Sequence, residues 1–151
     1  MEERRGALPG RQALNRGGTF VVVVGSLALL GGVAHEALSC EPPGFGARGR
    51  VESAGIVVVY RTLPPAIELG RHFAVEALVC ADGPAVLTAV DADMPEHRHG
   101  MNYRPTLAAK AAGRYVAEGL MFHMPGRWRL LFDVERAGRR ARLAADVAVV
   151  E

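Results

Sequence analysis

The chain has 151 residues, half of them hydrophobic, with 18 Lys and Arg against 16 Asp and Glu and a net charge of +2. That length suits one domain plus a short extra segment. From residue 41 onward the arginines are interleaved with acids and form no basic stripe or helix, which speaks against a nucleic-acid partner.

Arg4, Arg5, Arg11 and Arg16 precede the uncharged run from Thr19 to Ala34, "TFVVVVGSLALLGGVA". A basic stretch followed by an apolar one is the pattern of an export signal. As a helix the run spans about 24 Å at ~1.5 Å per residue. That is short for a bilayer core of about 30 Å and long for a cleaved signal. The small residues "GVA" at 32–34 suit a signal peptidase, so a retained membrane anchor and a cleaved signal both stay open. A buried soluble helix fits poorly, because consecutive Val and three Gly are weak helix formers. In either export reading the arginines stay cytoplasmic and the rest of the chain is sent outward. Residues 1–40 are therefore read as a signal or anchor segment, with one hydrophobic helix, on a periplasmic or otherwise extracytoplasmic protein.

The two cysteines, Cys40 and Cys80, both fall on the exported side. In an oxidising compartment a pair of cysteines in one domain tends to join, so a Cys40–Cys80 disulfide is expected. A second reading takes "LSC" at 38–40 as a lipidation signal, although Ala37 stands where such signals usually carry Leu.

Residues 41–54, "EPPGFGARGRVESA", have the Pro and Gly of a lead-in linker. Short apolar runs divided by turn residues then fill 55–151. "IVVVY" (56–60) ends before Pro64 and Pro65, and "HFAVEALVC" (72–80) puts Phe73, Val75, Ala77 and Val79 on one face. "PAVLTAVDAD" (84–93), "PTLAAK" (105–110) and "RYVAEGLMF" (114–122) follow. In "RWRLLFDV" (127–134) Trp128, Leu130, Phe132 and Val134 face inward, and "ARLAADVAVV" (141–150) closes the series. About seven strands at roughly 8–12-residue spacing predict an all-β, immunoglobulin-like antiparallel β-sandwich. Tyr115, just after the Gly113 turn, is either a tyrosine corner or an ordinary half-buried Tyr; Trp128 is a core residue.

Chemistry gathers in two places. "MPEHRHGMNY" (94–103) carries His97, His99 and Met101, and "MFHMPG" (121–126) carries Met121 and His123. In an extended chain Met121 and His123 project from one face. Imidazole with thioether suits copper, Cu(I) above all, whereas zinc prefers thiolate and calcium prefers oxygen. Asp91, Asp93 and Glu96 lie near but lack the spacing of a calcium loop. The plainer alternative is a metal-free structural or interaction module, with Met121 and Met124 packed under Trp128 and the histidines in a solvated turn. Ser26, Ser39 and Ser53 sit in no nucleophile context and no phosphate loop occurs, so an enzyme is not expected.

"DADMPEHRHGMNYRP" followed by "GRYVAEGLMFHMPGRWRL" resembles the YtkA-like domain family and its FixH-like relatives. Members share a Met-Pro-x-His-x-His-Gly-Met segment, a Gly-x-Tyr strand and a Met-x-Gly-x-Trp hairpin, and the likeness covers roughly the last hundred residues. The resemblance implies an exported immunoglobulin-like sandwich, anchored or secreted, linked to copper handling and oxidase assembly. It maps the metal ligands onto His97, His99, Met101, Met121 and His123, and implies a copper-dependent protein or an oxidase assembly factor as partner. A fainter resemblance, at "AHEALSC", is to CopC-like copper proteins, whose mature chain starts with a His after an Ala cleavage site; His35 would take that place.

Overall fold

The computed structural model describes residues 40–111 and 113–150. The signal or anchor segment, its expected helix and His35 lie outside them. Every regular element described is a strand, nine in all, arranged in two antiparallel sheets. The strands are β1 (Gly49–Ser53), β2 (Ile56–Leu63), β3 (His72–Ala81), β4 (Ala85–Met94), β5 (His99–Gly100), β6 (Thr106–Ala111), β7 (Arg114–Met121), β8 (Gly126–Arg136) and β9 (Arg139–Val149). One sheet runs β1-β2-β3-β7-β6, the other β5-β4-β8-β9.

All seven expected apolar runs form strands; β1 and β5 are additional. β1 falls inside the stretch read as a lead-in, where a charged, largely exposed "GRVES" carries no apolar alternation of its own. It exists because β2 offers five register partners, from Tyr60 back to Ile56. β5 is two residues long and is defined only by pairing with β4. Neither has a pattern that propensity could reveal, since short edge strands are made by their neighbours.

The alternation works as its period requires. Phe73, Val75, Ala77 and Val79 from β3 share one buried cluster with Trp128, Leu130, Phe132 and Val134 from β8. Trp128, Leu130, Phe132 and Val134 are fully buried. Tyr60 and Phe132 meet across the two sheets with ring centroids 5.1 Å apart. Tyr115 lies in the same core.

The outer face of the five-stranded sheet is covered by the segment that precedes β1. Cys40 and Phe45 are buried there with Val57, Val59 and Leu78. Cys40 is disulfide-bonded to Cys80, as expected, with an S–S distance of 2.06 Å. A sulfur so engaged cannot carry a lipid, which removes the lipidation reading. Beside the disulfide, Glu76 is buried between Arg61 and Arg114, and both guanidiniums lie over the Phe45 ring, 4.9 and 5.9 Å from its centroid.

Antiparallel register places opposite ends of β3 at opposite ends of the sandwich. Cys80 pairs with Val57 at one end, and His72 pairs with Met121 at the other. That second end also collects the last residue of β4, all of β5 and the first residues of β8.

Candidate functional site

The "MPEHRHGM" stretch is a tight hairpin. Met94 ends β4, His97 N–H donates to the Met94 carbonyl (3.1 Å), and Met94 and His99 then face each other as ladder partners. Arg98 sits in the left-handed region at φ 55°, which closes the turn. Directly opposed residues project from the same side of a sheet. Met94 is 1% exposed, so His99 shares the inward side with it, and Met101 packs on the same core. The hairpin base is fastened by Arg129, whose Nε and Nη2 reach Asp93 at 2.9 and 2.7 Å, and by Arg127 to Glu96 at 3.1 Å. Two of the nearby carboxylates are thus committed to arginines.

His123 arrives from the other sheet, in the connection from β7 to β8. Phe122 stacks on Trp128 (centroids 4.5 Å, planes 12° apart), and Trp128 Nε1 donates to the Met124 carbonyl at 2.9 Å. These contacts hold His123 edge-on to Trp128 at 5.4 Å. His99 takes a similar edge position, 5.7 Å from the same indole. The two imidazoles end 5.3 Å apart between centroids, tilted by 34°. His97, on the exposed turn, stands 5.9 Å from His99.

Those spacings fit shared coordination. With metal–nitrogen bonds of about 2.0–2.1 Å, two imidazoles on one ion have centroids roughly 4.5–6 Å apart for angles of about 90–135°. His99 Nδ1 lies 3.1 Å from the Gly100 carbonyl, an arrangement that suits the tautomer with its proton on Nδ1 and Nε2 as the metal-facing nitrogen. His123 Nδ1 is buried with no hydrogen-bond partner. An orphaned buried nitrogen costs about 1–3 kcal/mol, and a bound ion is one way to satisfy it. Among the described residues no three His, Cys, Asp or Glu side chains converge on one point. An ion shared by His99 and His123 would need its further donors from other residue types, and Met94 and Met101 lie on the same inward side.

The expected donors do not all come together. His97, His99 and His123 form a row, and Met101 packs on the core beside them. Met121 stands elsewhere. A β-bulge at Gly119 (φ 89°) shifts the β3–β7 register, so that Leu120 pairs with Phe73 on the inner face and Met121 pairs with His72 on the outer one. Without that extra residue Met121 would have kept the inward side of Tyr115 and Ala117.

Compared with protein-family models, curated proteins and solved structures, the chain matches none. Two side chains absent from the expected donor set are ladder partners of expected ones: Met94 faces His99 at the inner pair, and His72 faces Met121 on the outer side. The first was legible, since a tight turn between Met94 and His99 pairs them. The second depends on the bulge and had no local signal.

Proposed function

We propose that this chain is an exported, membrane-tethered copper-binding domain of the YtkA-like kind, an immunoglobulin-like sandwich that serves copper handling or oxidase assembly. The observation that carries the reading is the His99–His123 pair. Two imidazoles from different sheets stand 5.3 Å apart, and one presents a buried, unpartnered nitrogen. Thioethers from Met94 and Met101 lie on the same side and favour the cuprous ion over zinc or calcium. Tethering and export rest on the basic and apolar N-terminal pattern. The partner is a copper-dependent protein or an oxidase assembly factor, on the strength of the resemblance alone.

A metal-free module is the second reading, and one observation favours it. The Phe122–Trp128 stack and the Trp128–Met124 hydrogen bond are packing contacts that by themselves account for where His123 stands. Competition titration of the full chain with Cu(I) and Cu(II) separates the two. The first reading expects one tight Cu(I) equivalent, lost in His99→Ala and in His123→Leu, with both variants folded. The leucine fills the imidazole's place with no nitrogen to satisfy, so its thermal stability should equal or exceed the parent's. No tight copper equivalent in the parent chain would favour the metal-free module, and tight binding unchanged in both variants would overturn the His99–His123 site.

A further inference from the structure

We propose that His72 and Met121 form a second, solvent-facing station for a soft monovalent ion, from which Cu(I) passes to the His99–His123 pair. The proposal rests on the copper reading above and names the route by which that site is reached.

His72 and Met121 are direct ladder partners on β3 and β7. Opposed residues in an antiparallel pair have Cβ atoms about 4.5–5.5 Å apart on one face, which lets an imidazole nitrogen and a thioether reach one ion. The Gly119 bulge turns this pair outward, since the adjoining partners Phe73 and Leu120 are buried in the core. His72 is exposed and Met121 half-buried. Tyr103 closes the arrangement. Its ring meets His72 edge-on, with centroids 5.5 Å apart and planes at 80°, while 41% of the residue stays exposed. Tyr103 leads into β6, and β7 lies between β6 and β3. Its ring therefore reaches His72 across the end of β7, where Met121 stands.

The chemistry suits a transient stop. One imidazole and one thioether are soft donors that favour Cu(I). Neither His72 nor Met121 has an ion-pair or hydrogen-bond partner among the described residues; the nearest charges on the preceding loop, Glu68 and Arg71, pair with each other at 3.7 Å. Two donors on an open face hold an ion weakly and release it readily. The next donor is close by. Only Phe122 separates Met121 from His123, about 6–7 Å along an extended chain at ~3.3 Å per residue. Phe122 is fully buried, and beyond it the chain leaves β7 and crosses to β8 with His123 beside Trp128.

The test uses the full chain, methyl-labelled at methionine, titrated with Ag(I) as a closed-shell stand-in for Cu(I) and followed by NMR. The Met121 methyl and the His72 ring are expected to shift together, at a higher Ag(I) concentration than His123. His72→Ala should weaken the Met121 response by about tenfold or more, since loss of even an outer-shell partner costs ~10–100-fold, and should leave the His123 response intact. Met121→Leu should abolish the His72 shift. A Met121 methyl that never responds, or that moves in step with His123 and still does so in His72→Ala, overturns the second station. A Met121 response that persists while His99 and His123 stay silent would instead overturn the copper reading of the inner pair and leave the outer station standing.

Discussion

Glu76 is the most heavily constrained carboxylate described. Burial pushes its carboxyl up, and hydrogen bonds and charge from Arg114 and Arg61 more than offset that, holding it below the usual carboxylate range. Arg61 Nε and Arg114 Nε donate to its two oxygens at 2.7 and 2.5 Å. A depressed folded-state pKa contributes stability above the unfolded value, near ~4.3 for Glu, and that contribution drains away as pH falls toward the folded value. Asp133, held low by its hydrogen bonds from Arg142, behaves in the same direction. The protein is thus expected to lose stability below about pH 4, and Glu76→Gln should flatten that part of the profile. The variant should also be less stable by about 1–3 kcal/mol, less than a fully buried pair would cost because both arginines reach solvent. Denaturant melts of both proteins between pH 3 and 7 check both effects; parallel profiles would contradict them.

Among the elements, β7 carries the most consequence for its length. Gly119 at φ 89° has open space where a Cβ would go, so a substitution there meets backbone strain alone. Gly119→Ala should cost about 1–2 kcal/mol, and any relaxation that removes the bulge would turn Leu120 outward and Met121 inward. An unchanged melting temperature would show that the bulge carries no strain. The segment before β1 is the other such element. Phe45 and Cys40 cover Val57, Val59 and Leu78, and the disulfide ties that cover to β3 across a separation of 40 residues. Replacing both cysteines by serine should lower stability by about 3–4 kcal/mol in the chain-entropy model. It should also raise hydrogen exchange at Val57 and Leu78 before it does so at Val75. Equal stability with and without the bond would mean that Phe45 and the arginines hold the cover unaided.

Across the domain, the pairings that close both sheets are remote in sequence. β3 reaches past three strands to β7, and β4 past three to β8. Loop closure must precede the contacts that reward it, so main-phase refolding in milliseconds to seconds is expected, as for other sandwiches dominated by non-local pairing. A stopped-flow experiment from denaturant with the disulfide intact measures it; refolding within microseconds would contradict the topology. The same non-local pairing gathers the histidines at one end. β5 lies beside β4 by a local hairpin, yet His123 reaches His99 only because β7 and β8 belong to different sheets and the chain crosses between them above Trp128.

Much of this was readable along the chain. Alternation at period two marked the inward faces of β3 and β8, Gly and Pro marked the turns, and two cysteines in a chain with an export pattern announced their bond. Each of these is a local or compositional signal: the pleat repeats within a strand, and a lone cysteine pair leaves one partner to choose. β1 and β5 had no such signal, being strands by virtue of their neighbours. The grouping of the His and Met side chains was legible only in part. His97, His99, Met101 and His123 occupy one end as the two motifs suggested, while Met121 faces His72 and Met94 faces His99. One residue of bulge at Gly119 reverses which side chains point inward beyond it, and nothing in "RYVAEGLMF" itself shows whether a partner strand will impose it. Side-chain direction within a strand is a property of the covalent chain; which strands pair, and in what register, is decided by the assembled sheets.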